Sequence, residues 1–208
     1  IVPTIPGFPG SSGIGMLDDH LDWLIATHDL LGEAGAEGAD LIGVSLGAAL
    51  AADVAAVWPA SVRRVVLVSP LGLFDDSNPT ADIFAQNPSS LGKLLCQDPA
   101  KWEIHIALPD SIDPVEWEVI KVRAQEAAAR LLWPLGDTRL TRRLHRITQP
   151  SLLVFGESDR VLPDSYRNLF AREISHSEVV VLNNSGHLAD LDSPADLAAA
   201  VKKFFLAC

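Results

Sequence analysis

Short apolar segments rich in β-branched residues alternate with helical stretches along most of this 208-residue chain. Turn-forming residues bound each segment, which is the pattern of short buried strands. Strands that alternate with helices pair in parallel, because each crossover returns the chain to the same end of the sheet. The pattern therefore predicts an α/β fold with a mostly parallel sheet and flanking helices, its strands at residues 1–5, 40–44, 63–69, 151–156 and 178–182.

Helices are predicted at residues 18–36, 46–58, 164–174 and 194–206. Between residues 71 and 135 the alternation stops, and proline-interrupted segments hold three of the five tryptophans, Trp102, Trp117 and Trp133. Such a stretch indicates an inserted helical cap rather than a further strand–helix unit. We therefore predict residues 1–70 as the first part of the core, residues 71–135 as the cap and residues 136–208 as the second part of the core.

Charge and cysteine usage restrict the classes of partner. The formal net charge of −11 would repel a phosphate backbone or an anionic lipid surface, so neither nucleic acid nor membrane is expected as a partner. The sequence holds no apolar run of transmembrane length. Two cysteines, Cys96 and Cys208, are too few for a disulfide framework in a chain of this length, which favours a reducing compartment, taken as the cytoplasm.

The stretch DLIGVSLGAAL, residues 40–50, places Ser45 on the turn between a predicted strand and a predicted helix. A Gly-x-Ser-x-Gly turn requires small flanking residues, because its backbone is strained and the strand and helix approach closely. Gly43 and Gly47 provide them. Ser45 is therefore either a nucleophile or an ordinary turn residue, and the strand–turn–helix context favours the nucleophile.

Two further candidate residues follow later strands. Asp159 lies just past the strand at residues 151–156, in FGESDRVLP, and His187 lies just past the strand at residues 178–182, in NNSGHLADLDSP. The carboxyl ends of parallel strands meet at the edge where open α/β sheets bind ligands. The chain order Ser45, Asp159, His187 is that of a catalytic triad on such a sheet, with His187 as the base and Asp159 as its orienting acid.

With these motifs the chain resembles the α/β-hydrolase fold superfamily, and within it the cap-bearing serine hydrolases related to esterases and carbon–carbon bond hydrolases. The resemblance also covers IVPTIPGFPGSSG, VVLVSP and LHRITQPSLLVFGESDRVLP, and it is weakest in the predicted cap. It implies an enzyme that cleaves an ester, a thioester or an activated carbonyl through an acyl-enzyme on Ser45. The backbone N–H of Leu46, the residue after the nucleophile, would be one donor of the oxyanion hole.

Several alternatives stay open at this point. A carbon–carbon bond hydrolase acting on a vinylogous diketone would use the same triad, and a non-catalytic α/β-hydrolase-like protein would only bind a small molecule or a partner. Asp75 or Asp76, which follow the strand at residues 63–69, could replace Asp159 as the triad acid. The cap tryptophans imply a small, mostly apolar substrate, although tryptophans at helical spacing are also packing residues.

No cofactor and no metal ion are expected. The segment GFPGSSGIG lacks the third glycine of a dinucleotide fingerprint, and no Lys-Ser or Lys-Thr pair follows it. The cluster of Asp18, Asp19, His20 and Asp22 is interpreted as a solvated helix start, because no second ligand set with suitable spacing accompanies it.

The N-terminus departs from the family pattern. Only one helix separates the loop after residues 1–5 from Ser45, so residues 1–5 resemble strand four of the family, and strands one to three are absent. Strand three of the family lies between strands four and five, which places residues 1–5 roughly 9–10 Å, or two strand spacings, from residues 40–44. If residues 1–5 instead paired directly with residues 40–44, Phe8 would be the second oxyanion donor.

A gap in the middle of a sheet leaves backbone donors and acceptors unsatisfied. A polypeptide segment, from elsewhere or from a longer chain, is therefore expected to supply the missing strands and the second oxyanion donor. The 208-residue chain alone is expected to aggregate and to be inactive.

Overall fold

The computed structural model describes residues 1–132 and 137–207. Within these residues, four parallel strands form a sheet in the order β1 (Ala39–Val44), β2 (Val62–Val68), β3 (Ser151–Gly156) and β4 (Ser177–Leu182). The helices of the same residues are α1 (His20–Glu33), α2 (Leu46–Val57), α3 (Pro88–Leu95), α4 (Pro99–His105), α5 (Pro114–Leu131), α6 (Thr141–Leu144), α7 (Ser165–Glu173), α8 (Ala189–Asp192) and α9 (Pro194–Ala207). The predicted α/β class with a mostly parallel sheet is confirmed.

All four strands run in the same direction, so their carboxyl ends lie along one edge of the sheet. The register shows this directly, because Val44 pairs with Val68, Val68 with Val154, and Val154 with Val180. The segments that follow β1, β3 and β4 therefore begin at nearby points of this edge. These are the segments that contain the predicted site residues.

Both faces of the interior strands β2 and β3 are covered, which explains why these two strands are largely apolar runs. Val65 and Leu67 of β2 belong to a large core with α1, α2 and α7, whereas Val66 and Val68 belong to a smaller core with Phe204 of α9. Successive side chains of a strand point to opposite faces, so the sheet separates the two cores.

Helix α1 begins at His20 because Asp19 caps it. The Asp19 carboxylate accepts from the Leu21 N–H at 2.9 Å, and the Asp22 carboxylate accepts from the Asp19 N–H at 3.3 Å. This capping box satisfies amides of the first turn that have no partner inside the helix. Within residues 1–132 and 137–207, no group of three or more His, Cys, Asp and Glu side chains is arranged to hold a metal ion.

The described residues between β2 and β3 form helices α3 to α6 and no strand. Trp117 donates from Nε1 to the Ile106 carbonyl at 3.0 Å, and Trp102 of α4 packs against Gly92 of α3. Both tryptophans therefore hold neighbouring segments together. Trp133 lies outside the described residues, and the division into core, cap and core stays a prediction. The part of the chain that the structure describes has no helix with the length and apolar character needed to cross a bilayer.

Residues 1–5 do not form the predicted strand four. The described sheet consists of β1 to β4 and does not include this segment. Ile1 and Val2 are 95% and 98% exposed, and Pro3 has no backbone N–H to donate to a neighbouring strand. The alternative prediction, that residues 1–5 pair directly with residues 40–44, is wrong as well. Instead, the segment and β1 share a cavity of about 160 Å³, which is lined by Ile1 and Pro3 and by Ala39, Asp40 and Leu41. In the described sheet, β1 is an edge strand.

Candidate active site

Ser45 lies on the turn between β1 and α2, and its backbone is strained. Its φ of 53° and ψ of −113° are unusual for a residue with a side chain. Its N–H donates to the Val68 carbonyl at 2.8 Å, which ties the turn to the end of β2. Gly43 packs directly against the backbone of Gly47, so strand and helix approach as closely as the sequence pattern predicts.

The three residues of the predicted triad meet at the carboxyl edge of the sheet. Ser45 Oγ lies 2.7 Å from His187 Nε2, and His187 Nδ1 lies 3.0 Å from Asp159 Oδ2 and 3.2 Å from Asp159 Oδ1. A carboxylate can only accept hydrogen bonds, so Nδ1 carries the imidazole proton and Nε2 accepts from the serine hydroxyl. The arrangement joins a hydroxyl to a base and the base to an orienting carboxylate.

The carboxylate of Asp159 is buried and stays ionised. Its side chain is 2% exposed, and that of His187 is fully buried. Burial raises the pKa of Asp159, but the charge of protonated His187 and hydrogen bonds from His187, Leu162 and Val161 together lower it more, so the pKa lies below its usual 3.8. The amides of Val161 and Leu162 donate to Oδ1 at 2.8 Å and 3.0 Å.

Asp75 and Asp76, the alternative acids, have other surroundings. The Asp75 carboxylate accepts from the Ser77 N–H at 2.9 Å and from the Asn78 side chain at 3.3 Å, and Asp76 is exposed. The sequence predicts Asp159 as the acid and leaves Asp75 and Asp76 as alternatives, because all three follow strands. The structure places Asp159, and not Asp75 or Asp76, beside the imidazole.

Leu46 is the first residue of α2, where a backbone N–H has no acceptor within the helix. An amide at this position is available to an oxyanion. The loop after residues 1–5 uses its own amides internally, because the Gly7 N–H donates to the Ser12 carbonyl at 3.0 Å and the Phe8 N–H donates to the Ile5 carbonyl at 3.1 Å. In this arrangement Phe8 is not a second oxyanion donor.

Comparison with known protein families agrees with the fold. Residues 1–200 match the family model described as the alpha/beta hydrolase family, a match that covers all three triad positions. The chain belongs to the α/β hydrolase family. The resemblance of the sequence motifs to the α/β-hydrolase superfamily is thereby confirmed.

Curated relatives of this α/β hydrolase include a deacetylase and several lipases. Pyrrolizixenacetamide deacetylase of Xenorhabdus hominickii is 28% identical over 181 residues, covering 80% of this chain and 65% of the relative. Monoacylglycerol lipase ABHD6 of Mus musculus is 26% identical over 180 residues, covering 79% of this chain and 54% of the lipase. Lipase 1 of Psychrobacter immobilis is 25% identical over 218 residues, covering 98% of this chain and 68% of the lipase. The chain thus spans about half to two thirds of the length of these relatives.

Solved structures share the fold of this α/β hydrolase. A membrane phospholipase A, described as a bacterial virulence factor, has a TM-score of 0.75 at 20% identity and covers 98% of this chain and 68% of that one. The meta-cleavage product hydrolase CumD has a TM-score of 0.69 at 16% identity, and the match covers 91% of this chain and 73% of CumD. At these identities the likeness concerns the fold alone.

Two loops beside the triad contain residues that sequence reasoning missed. Arg160, next to Asp159, donates to the Lys93 and Cys96 carbonyls at 2.7 Å and 3.1 Å. Asp192, downstream of His187, is 7% exposed and accepts from three backbone amides. A charged residue in a polar tract carries no sequence signal that distinguishes it, so only these tertiary contacts reveal it.

Proposed function

We propose that this chain carries the triad of a serine hydrolase that cleaves an ester, a thioester or an activated carbonyl. The supporting observation is the 2.7 Å distance between Ser45 Oγ and His187 Nε2, with the Asp159 carboxylate on the other imidazole nitrogen. A hydroxyl held against a neutral, oriented imidazole is the arrangement that activates serine as a nucleophile.

In the first half-reaction, Ser45 Oγ attacks the carbonyl carbon while its proton passes to His187 Nε2. The carbonyl π electrons move onto oxygen, and the Leu46 N–H donates to the resulting oxyanion. The Asp159 carboxylate, which its low pKa keeps ionised, stabilises the imidazolium. Collapse of the tetrahedral intermediate re-forms the carbonyl and breaks the bond to the leaving group, which takes the proton from His187.

In the second half-reaction, water replaces the leaving group. His187 removes a proton from the water, whose oxygen attacks the acyl carbon of the Ser45 ester. Collapse of the second tetrahedral intermediate breaks this ester, returns the proton to Ser45 Oγ and releases the acid. The cycle needs water as its second substrate and no other reactant.

The substrate proposed is a small, mostly apolar carboxylic ester. Apolar residues adjoin the triad, because the Leu71 N–H donates to the Ser45 carbonyl at 3.3 Å and the Val161 N–H donates to Asp159. Leu71 and Val161 also pack with Ile83 and Phe84 around a cavity of only about 10 Å³, so the surroundings here are filled by apolar side chains. The relatives named as lipases, which act on apolar esters by that name, support the same substrate class.

A fluorophosphonate probe tests the nucleophile directly. Ser45 Oγ displaces fluoride from the probe, and peptide mapping then identifies the phosphonylated residue. We expect labelling at Ser45 that Ser45→Ala abolishes. A folded protein that does not label would contradict catalysis and support the non-catalytic binding protein instead.

A panel of p-nitrophenyl esters of increasing acyl length tests the substrate class. We expect kcat/KM to rise with acyl length until the acyl site is filled. Labelling at Ser45 without ester turnover, together with cleavage of a vinylogous diketone, would favour the carbon–carbon bond hydrolase.

We further propose that an extended polypeptide strand with apolar side chains pairs with the outer edge of β1. No described strand pairs with this edge, and Ile42 of β1 is 53% exposed beside a groove of about 580 Å³ whose lining includes Leu197, Val201 and Phe205 of α9. Open strand edges beside apolar surface favour strand addition and aggregation. The greater length of the curated relatives also supports a covering segment.

Amide hydrogen exchange tests this pairing. In the dilute chain we expect part of the β1 amides to exchange fast, with the amides of the interior strand β3 as the protected control. A synthetic alternating valine–threonine peptide should protect β1, reduce aggregation and speed fluorophosphonate labelling, whereas a proline-containing version should not. Protected β1 amides in the dilute monomer would contradict the proposal.

The cytoplasm stays our proposal for the compartment, from cysteine usage alone. Cys96 is fully buried and unpaired, and burial, followed by the charges of Asp192 and Asp190, raises the pKa of its thiol to about 11. Such a thiol stays neutral and packs as a small apolar side chain. Cys208 lies outside the described residues.

A further inference from the structure

Asp192 ends the short helix α8, and its carboxylate is enclosed by backbone donors. Oδ2 accepts from the Gly186 N–H at 2.7 Å and from the Gln97 N–H at 2.6 Å, and Oδ1 accepts from the Asp98 N–H at 3.2 Å. The residue is 7% exposed. A carboxylate only accepts hydrogen bonds, so both oxygens suit their donors, and the group is a fixed part of the interior.

These donors connect the loop of His187 to residues 95–98, which we call the α3–α4 link. Gly186 directly precedes His187, and the residue after it, Leu188, donates its N–H to the Leu95 carbonyl at 2.9 Å. A Cβ on Gly186 would stand 2.7 Å from the Gln97 nitrogen, so the two backbones touch. The loop is therefore bound to the link on both sides of the histidine.

The acid loop contacts the same link. Arg160, adjacent to Asp159, donates to the Cys96 carbonyl at 3.1 Å and to the Gln97 side-chain oxygen at 3.2 Å. Gly156, at the end of β3, lies so close to the His187 loop that a Cβ there would stand 2.1 Å from the Gly186 carbonyl oxygen. The acid and base loops thus share one support.

We propose that Asp192 is a positioning residue that fixes Gly186, and through it the imidazole of His187, relative to Ser45 Oγ and Asp159. The assignment rests on the proposed serine-hydrolase function. The Asp192 carboxylate accepts from the Gly186, Gln97 and Asp98 amides rather than from a triad side chain, and it acts by holding the backbone from which the base projects. A displacement of about 1 Å at the base is enough to slow proton transfer by about 100-fold.

Asp192→Asn is the informative change because it keeps the shape of the side chain. One carboxylate oxygen becomes an NH₂ group, which can only donate and so repels the amide that it faces. We expect the Gly186 backbone to shift and fluorophosphonate labelling to slow about 10- to 100-fold. With esters, kcat should fall while KM stays within about threefold, because the chemical step is affected rather than binding.

Two matched controls separate an effect on the position of His187 from the effects of a lost charge and of a lower stability. Asp190→Asn removes a charge from the same helix at an exposed residue. Asp53→Asn alters a fully buried carboxylate whose partners are His20 and Arg143 rather than the His187 loop. Both variants should label within about twofold of wild type while folded, even where Asp53→Asn loses as much stability as Asp192→Asn.

The His187 Nδ1 proton gives a readout that does not require catalysis. Its strongly deshielded NMR signal reports the bond to Asp159, so we expect it in wild type and both controls and expect it weakened in Asp192→Asn. A folded Asp192→Asn variant with wild-type labelling and an unchanged signal would overturn the proposal. If wild type never labels, the proposed function fails, and the NMR comparison still decides the role of Asp192.

If the Asp192→Asn variant does not fold, amide hydrogen exchange in the wild-type protein tests the proposed role of Asp192 instead. If the Gly186, Gln97 and Asp98 amides exchange as slowly as those of β3, the result supports the proposal that the Asp192 carboxylate holds them in place. Fast exchange at these three amides overturns it.

Discussion

Gly43 of β1 lies so close to Gly47 of α2 that a Cβ on Gly43 would stand 2.3 Å from the Gly47 carbonyl oxygen. Gly43→Ala should push strand and helix apart and lower the free energy of unfolding by about 2 kcal/mol or more. Gly47→Ala is the control, because a Cβ there meets nothing within 4 Å outside its own helix, and its effect should stay within about 1 kcal/mol. Urea unfolding measures both, and equal losses would contradict the steric argument.

Ser45→Ala and Ser45→Gly should both abolish labelling and ester hydrolysis, because each removes the hydroxyl that faces His187. Their stabilities should differ. Glycine adopts a φ of 53° without strain, so the glycine variant should be more stable than the alanine variant by about 1 kcal/mol. Thermal unfolding compares the stabilities of the two variants. Turnover by Ser45→Ala within about tenfold of wild type would contradict the assignment of Ser45 as the nucleophile.

Asp159→Asn should slow turnover by about 10³- to 10⁴-fold, because the amide would favour the wrong imidazole tautomer. The matched control is Asp75→Asn, whose carboxylate accepts from Ser77 and Asn78 instead. Ester hydrolysis by both purified variants checks this. If Asp75→Asn were the more damaging change, the acid would have been assigned to the wrong residue.

Labelling and hydrolysis should slow as the pH is lowered, because His187 accepts the serine proton only when it is neutral. The pKa of Asp159 is lowered from its usual 3.8, so this carboxylate is already ionised above about pH 5 and adds no second rise. Rates measured between about pH 5 and pH 8 check the profile. A flat profile would be incompatible with His187 as the base.

Asp40 of β1 accepts from Arg64 and Arg63 of β2, each at 2.9 Å from Nε, and these bonds hold its pKa well below its usual range. A pKa depressed by folding stabilises the protein above the unfolded pKa and loses this effect as pH falls through the folded value. Asp40→Asn should therefore lower the free energy of unfolding by about 1–3 kcal/mol at about pH 7. Urea unfolding should show the difference shrinking below about pH 4.

The sequence predicted β1 to β4 to within one residue at each end, because a buried parallel strand is a short apolar run between turns. It also named three residues that the structure brings together. Ser45, Asp159 and His187 each follow a strand, and parallel strands end at one edge, so their meeting is fixed by topology once the strands are known.

The failures have a different physical origin. Ile1 and Val2 have strand propensity, but a strand exists only when a neighbour pairs with it, and the sequence does not show the neighbour. Asp192 was missed for a related reason, because its partners at residues 97 and 98 are distant in sequence. Arg143 pairs with the buried Asp53, and these two residues are also distant in the chain, 90 positions apart.

Folding has to bring β2 beside β3 across residues 69–150 before the centre of the sheet exists. Closing so long a loop costs conformational entropy, and parallel strands far apart in sequence pair slowly. Strand β1, helix α2 and strand β2 follow one another directly, so the turn of Ser45 can assemble early, whereas His187 arrives only when β4 joins. Ser45 and His187 are 142 residues apart in the chain, so the hydrogen bond between their side chains forms near the completion of folding rather than at its beginning.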